Sequence, residues 1–312
     1  MRVSIIIPCK EIDGYMEQCI QRCLKLDYPD YEILVLPDSE PKLSPSGVKV
    51  IPTGPVTPGA KRNIGIANSS GEICAFIDSD AYPREDWLKN AVKHLNSSGT
   101  SAVGGPGVTP NEDSDMQKAS GHGLSSFMVG GMAERYKVKA ARESDDIHSC
   151  NFVAEKSAVL EAGGWNEKYW PGEDTLLCLK LKKIGKSMIE SPDVVVYHHR
   201  KPLFKQHLKQ VSNFGLHRGF FAKRFPETSR RFTYFLSSLF ISFLIVGGIV
   251  SLVYPVFRWV FGIILLLYIF LTLAAALPSR KLLLQVWLGI MATHIVYGTF
   301  FLLGLVKKEL TR

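Results

Sequence analysis

From Phe232 onward the chain almost stops carrying charge, and this constrains it more than any other feature of its 312 residues. "FTYFLSSLFISFLIVGGIVSLVY" holds no charged residue. After Pro255, "VFRWVFGIILLLYIFLTLAAAL" is interrupted only by Arg258. "PSRK" follows, then "LLLQVWLGIMATHIVYGTFFLLGLV", uncharged apart from the titratable His294. Each run exceeds the ~10–14 residues of a buried core helix and reaches the ~20 needed to cross a bilayer. Three transmembrane helices are expected within residues 232–306, with a basic tail at 307–312.

The segment before them indicates orientation. Across residues 201–231 and at Arg200, nine Lys and Arg residues, ending in Arg230 and Arg231, oppose the single acid Glu227. An excess of cations beside membrane spans marks the cytoplasmic side. The expectation is a multi-pass protein of the cell membrane with its N-terminal domain in the cytoplasm. The start "MRVSIIIPCK" has neither the apolar region nor the cleavage site of a signal peptide. "PSRK" fits the cytoplasmic side, but "KKELTR" does not, because three crossings carry the tail outside. A re-entrant or interfacial placement of one apolar run removes the conflict. Leu203, Phe204, Leu208, Val211 and Phe214 interleave with the cations. Such an amphipathic stretch suits an anionic bilayer surface and the phosphates of a polyprenyl carrier. Membrane lipids account for the net charge of +8 better than nucleic acid does, so no nucleic-acid partner is expected. The six cysteines are scattered without a CxxC pair, as in a reducing compartment.

Residues 1–200 alternate between two periodicities. "VSIIIP", "YEILVLPDS", "KVIPTG", "EICAFID" and "SAVGGPG" read as strands or strand-and-turn segments. "YMEQCIQRCLKL", "KRNIGIANSSG" and "REDWLKNAVKHLNSSG" read as helices between them. Strand–helix alternation predicts an α/β domain with a mainly parallel, Rossmann-like sheet. Ligands of such sheets bind at the carboxyl ends of the strands. Pro8-Cys9, Pro37-Asp38 and Asp78-Ser79-Asp80 all stand at such ends. Residues 103–151, rich in Gly and Ser, fit either a lid over the cleft or an ordinary surface excursion.

Asp78 and Asp80 place two like charges where an apolar strand stops. Two carboxylates there repel and resist desolvation, which a divalent cation, Mg²⁺ or Mn²⁺, relieves through hard oxygen ligands. A helix cap near Arg84 is the other reading of one of them. In "YWPGEDTLLCLKLKKIG", Glu173 and Asp174 open a helix that closes at Gly185. Acids there serve either the helix dipole or proton transfer. Trp165, Tyr169 and Trp170 suit either sugar stacking or core packing. His198 and His199 end the strand "VVVYHH" as metal ligands or as structural residues.

Taken in order, "VSIIIP", "YEILVLPDS", "PGAKRNIGI", "GEICAFIDSDAYPREDWL", "GGWNEKYWPGEDTLLCLKLKKIG" and "VVVYHH" resemble family 2 glycosyltransferases of the GT-A fold, over roughly residues 1–225. The resemblance implies inverting transfer of a sugar from a nucleotide diphosphate sugar to an acceptor. It implies that Pro8 lines the nucleotide-sugar site, Asp38 contacts the base, Arg62 sits near base and diphosphate, Asp78 lies near the ribose and Asp80 binds the metal. It implies Asp174 as the base, and a histidine completing the metal site, here His198 rather than His199. Asn151 stands where the family often has an acceptor-side asparagine, and Trp170 and Glu173 join it there. The membrane helices make the chain look similar to succinoglycan-type glucosyltransferases, which extend lipid-linked oligosaccharides.

Two departures bear on the donor. Pro37-Asp38 replaces a usual aspartate pair, and Lys10-Glu11 replaces the usual aromatic-asparagine pair. The Gln-x-x-Arg-Trp motif of processive synthases is absent, with only an echo in Gln210 and Arg218. The expected organisation is a catalytic domain at 1–200, a basic juxtamembrane segment at 201–231, three spans at 232–306 and the tail. The expected acceptor is a lipid-linked saccharide. Alternatives are a polyprenyl-phosphate monosaccharide synthase, which takes lipid phosphate itself, a polysaccharide synthase, or a non-enzymatic membrane scaffold.

Overall fold

Strand β1 (Val3–Pro8) is buried along its whole length, and its alternate side chains enter two different cores. Val3, Ile5 and Ile7 join one core; Ile6 joins the other. A strand covered on both faces needs the nearly continuous apolar run that the sequence supplies, with only Ser4 interrupting it.

A computed structural model of the chain describes residues 1–97 and 99–310, without the side chains at 130–132 and 134. The chain forms two units. The first comprises Met1–Val108 and Lys137–His199. After β1 it continues through α1 (Gly14–Cys23), β2 (Tyr31–Leu36), β3 (Lys49–Val50), α2 (Pro58–Ala67) and β4 (Ile73–Phe76). Then come β5 (Ala81–Pro83), α3 (Trp87–Leu95), β6 (Thr100–Gly104) and β7 (Gly107–Val108). The chain makes helix α4 (Asp115–Leu124) in the second unit and returns with β8 (Arg142–Glu143), β9 (Phe152–Glu155), α5 (Lys156–Glu161), α6 (Glu173–Lys183), β10 (Ser187–Glu190) and β11 (Val196–His198).

The main sheet runs β3-β2-β1-β4-β9-β6-β10-β8. β2, β1 and β4 are parallel, so Pro8, Leu36 and Phe76 all end on one edge. β9 is antiparallel to both β4 and β6, inside an otherwise mainly parallel sheet. Helices α1 and α3 bury Met16, Cys19, Ile20, Trp87, Leu88 and Ala91 on one face. Ile66, Val159, Leu177 and Leu181 cover the other. Beside the main sheet, β5, β11 and β7 make a small three-stranded sheet. All six cysteines are free and buried.

The second unit holds Thr109–Tyr136 and the chain from Arg200 on. Its helices are α4, a 3₁₀ turn (Phe127–Arg135), α7 (Lys205–Arg224), α8 (Pro226–Ser229), α9 (Phe232–Ser242), α10 (Gly248–Val253), α11 (Pro255–Ala276) and α12 (Leu283–Val306). A π-helical turn (Phe243–Gly247) joins α9 to α10. Two helical stretches are long and apolar enough to cross a membrane, Phe232–Val253 and Pro255–Val306. The second is broken at Arg280, whose φ of 45° and ψ of −100° separate α11 from α12. The expected tail at 307–312 includes residues 311 and 312, which lie outside the described residues.

Part of the expectation for 103–151 changes here. Residues 109–136 fold as helices of the second unit, so the first unit is not continuous over 1–200. Ala119 packs with Leu203, Ala276, Val286 and Ile290, and Met116 and Met128 flank that cluster. Those partners lie far downstream, so nothing local in the sequence signals the association.

Candidate active site

Helix α2 reaches two strand ends at once. Thr57 caps it, accepting from the Ala60 amide at 3.0 Å, and Pro58 fits its first turn. Consecutive helical residues diverge by about 100°, so Lys61 and Arg62 point to different places. Lys61 turns to the end of β2: its Nζ lies 2.7 Å from Asp38 Oδ1 and donates to Thr53 Oγ1 at 2.6 Å and the Leu36 carbonyl at 3.2 Å. Arg62 turns to the end of β4 and the start of α6. It donates from Nη2 to Asp78 Oδ1 at 2.7 Å and from Nη1 to Glu173 Oε1 at 2.9 Å. Its guanidinium carbon sits 4.6 Å from the Trp165 ring centroid. Both cations are essentially buried, at 3% and 2% exposure, a burial that charged side chains tolerate only when paired.

The acidic motif and a histidine come together through strand pairing. β5 runs antiparallel to β11, which sets His198 opposite Ala81, the residue after Asp80. His198 Nε2 lies 3.2 Å from Asp80 Oδ1. Ligand atoms of Asp78, Asp80 and His198 all lie within 4.8 Å of one another, and all three residues are half-buried. Neighbouring strand residues face opposite ways. His199 therefore turns elsewhere, with Nε2 2.8 Å from Gln18 Oε1 and its ring 4.5 Å from that of Tyr15. Two carboxylates and an imidazole are a donor set suited to a hard or borderline divalent cation such as Mg²⁺ or Mn²⁺.

Glu173 and Asp174 open α6 after Gly172, which adopts a φ of 113° that glycine accepts readily. Both acids are buried. Burial pushes the Glu173 carboxyl up to about 7, opposed by Arg62 and reinforced by Asp174. Asp174 Oδ1 accepts from the Thr175 amide at 2.7 Å. Glu173, Arg62 and Asp78 thus form one chain of ion pairs from the helix start to the acidic motif. Burial also holds the Cys9 thiol up, to about 12, so this strand-end cysteine stays protonated.

Other expected residues sit differently. Pro8 ends β1 and is buried. Asn151 is fully buried; its carbonyl accepts from Trp87 Nε1 and its amide donates to the Val194 carbonyl, each at 2.8 Å. It braces the fold rather than offering an amide to an acceptor. Trp165 is a core residue against Phe76 and Phe152, whereas Trp170 is 57% exposed. Glu173, expected on the acceptor side, pairs with Arg62. Gln210 and Arg218 belong to the second unit, where Arg218 stacks 4.8 Å from the Tyr234 ring centroid. Lys61 was not anticipated: within "PGAKRNIGI" it reads as an ordinary helical lysine.

The sequence model of Glycosyl transferase family 2 matches residues 4–160, half of the chain. The chain belongs to glycosyl transferase family 2. It is 27% identical over 170 residues to the pre-mycofactocin glycosyltransferase of Mycobacterium tuberculosis, a match covering 54% of this chain and 36% of that relative. The chain thus spans about a third of that protein's length. A relative from Methanococcus voltae, named dolichyl N-acetyl-alpha-D-glucosaminyl phosphate 3-beta-D-2,3-diacetamido-2,3-dideoxy-beta-D-glucuronosyltransferase, is 22% identical, covering 71% of this chain and 74% of its own. Among solved structures, the mannosyltransferase PcManGT of Pyrobaculum calidifontis, in complex with GDP-Man and Mn²⁺, superposes with a TM-score of 0.64 at 18% identity, over 96% of this chain and 87% of that one. That likeness establishes the GT-A fold.

Proposed function

We propose that this chain is an inverting glycosyltransferase that moves a sugar from a nucleotide diphosphate sugar onto a lipid-linked saccharide at the cytoplasmic face of a membrane. The observation that carries the reading is the junction of two devices: the Asp78, Asp80 and His198 donor set, and the acidic start of α6 joined to it by Arg62. Asp38, held by Lys61, reads the base edge of the nucleotide. Asp78, Asp80 and His198 would hold a divalent cation, which supplies positive charge beside the leaving diphosphate.

Asp174 takes the proton of the acceptor hydroxyl. The hydroxyl oxygen forms a bond to the anomeric carbon as the bond from that carbon to the diphosphate oxygen breaks. The electron pair leaves with the nucleoside diphosphate, and the configuration inverts. Arg62 keeps the two ends of the site in fixed relation, because the buried guanidinium is hydrogen-bonded to both Glu173 and the half-buried Asp78.

The lipid-linked acceptor is supported by the apolar stretches Phe232–Val253 and Pro255–Val306, and by the name of the Methanococcus voltae relative, which describes transfer to a dolichyl-phosphate-linked sugar. An extender of lipid-linked oligosaccharides, the succinoglycan-like reading, follows from the same features. The cationic residues of α7 and the pair Arg230 and Arg231 favour the cytoplasmic side. The test is a panel of radiolabelled nucleotide sugars with membranes and lipid extraction. The expected result is label in a lipid product only when a preformed lipid-linked sugar is supplied. Label on lipid phosphate alone makes the chain a monosaccharide-lipid synthase, and long products make it a polymerase. Nucleotide binding without transfer across the panel contradicts enzymatic activity.

A further inference from the structure

Helices α7 and α12 run side by side in the same direction from His207 to Lys223 of α7. His207 Nε2 lies 2.8 Å from Thr293 Oγ1, a separation of 86 residues in sequence. Two turns further a Cβ on Gly215 would stand 2.6 Å from the Tyr297 carbonyl. Beyond it the Gly219 backbone meets that of Phe301, and Lys223 Nζ donates to the Lys307 carbonyl, a separation of 84. The near-constant offset means that the two helices keep one register over about 24 Å, at 1.5 Å per residue. Whatever depth and tilt one helix has, the other shares.

The two helices are opposite in character. α7 carries Lys205, Lys209, Arg218, Lys223 and Arg224 from one end to the other, with Lys209 and Asn213 exposed. α12 carries no charge and exposes an apolar stripe at Leu284, Leu288, Ile295, Leu303 and Val306. Were α12 to stand across a bilayer, α7 would stand with it. Its exposed Lys209 and Asn213 would then face hydrocarbon, where a charged side chain is costly. Lying flat, the pair satisfies both faces: the cations of α7 meet headgroups and the stripe of α12 meets acyl chains.

We infer that α12 is not a membrane span but the apolar half of an interfacial two-helix layer, whose partner is an anionic lipid surface. This rests on the reading that the second unit is embedded in a membrane. Only α9–α10 and α11 then cross, as a hairpin turning at Tyr254, with Phe243 stacked 5.0 Å from Phe261. At its turn Arg258 donates to the Ser251 and Leu252 carbonyls at 2.9 and 3.3 Å, beside the exposed Trp259. An arginine and aromatics belong at a headgroup boundary. Two crossings bring Arg231, Arg280 and Lys307 to one side, which removes the conflict that the tail poses for three.

The test uses the full chain in vesicles of phosphatidylcholine with phosphatidylglycerol. Single nitroxide labels at Leu284→Cys, Leu288→Cys, Ile295→Cys and Leu303→Cys read depth along α12, and one at Ile249→Cys reads the hairpin. We expect the four α12 labels at one shallow depth and the Ile249 label deep. A maximum of depth at Ile295 with shallow ends overturns the inference while leaving the membrane reading intact. A shallow label at Ile249 overturns both. In unsubstituted protein, tags at the two termini should be cleaved by protease from the same side of sealed vesicles, and cleavage from opposite sides contradicts the two-crossing layer.

Discussion

The two units bury polar side chains for different ends. In the first, the buried groups at the site are charged: Lys61 and Arg62 are matched by Asp38, Asp78 and Glu173. In the second, a neutral chain runs from Ser120 Oγ through the His207 ring to Thr293 Oγ1, each step 2.8 Å. Burial pushes His207 down to about 4, so it is uncharged at neutral pH. Buried ion pairs add little net stability, whereas breaking one leaves a desolvated charge behind. Charged groups are therefore retained in the first unit where chemistry needs fixed charge. The second unit also buries Asp113 and Arg200, but the contacts that hold α4, α7 and α12 in register are neutral hydrogen bonds.

The comparison is tested hardest at the donor set. Asp80→Asn removes one charged ligand beside the expected diphosphate, and transfer should fall ~10³-fold with loss of Mn²⁺ binding by calorimetry. Wild-type-like transfer, or full transfer in excess chelator, removes the cation from the account.

Next comes the brace. Arg62→Met strands Glu173 and Asp78, and should cost about 3–5 kcal/mol, read as a lowered midpoint of unfolding in detergent. Arg62→Met combined with Glu173→Gln should recover part of that loss. A single variant as stable as the parent means that these carboxylates are better solvated than their burial implies.

The smallest effect lies in the second unit. His207 takes up a proton below about 6.5 when unfolded, but only near 4 when folded. The unfolded state binds more protons in that window, so the contribution of His207 is fully present above pH 6.5 and is lost as pH falls. At pH 5 the loss should be about 2 kcal/mol. His207→Gln should flatten the fall between pH 7 and 5; an unchanged slope places the titration elsewhere.

Much of the first unit was legible because its signals are local. The runs "VSIIIP", "YEILVL" and "ICAF" became β1, β2 and β4, and the helix read in "KRNIGIANSSG" became α2, which starts three residues earlier at Pro58. What escaped depends on distant pairing. β9 enters the sheet antiparallel between β4 and β6, a choice that no periodicity encodes. His198 was expected at the metal site by resemblance alone; the pairing of two three-residue strands across more than a hundred positions that sets it beside Asp80 carries no local signal. Residues 109–136 look like a polar loop, since Met116, Ala119 and Met128 find their apolar partners in the C-terminal helices. Lys61 is recognisable only once Asp38 is seen 2.7 Å from its Nζ.

The central claim is that the acidic start of α6 supplies the base of the transfer. Asp174→Asn preserves the side chain's shape and its capping ability, but removes proton acceptance at neutral pH. Turnover should be measured beside calorimetric binding of the nucleotide sugar. The account predicts donor binding within a few-fold of the parent and turnover lower by ~10²–10⁴. Near-normal turnover would contradict it and shift the role to Glu173, and joint loss of binding and turnover would make Asp174 a donor-site residue instead.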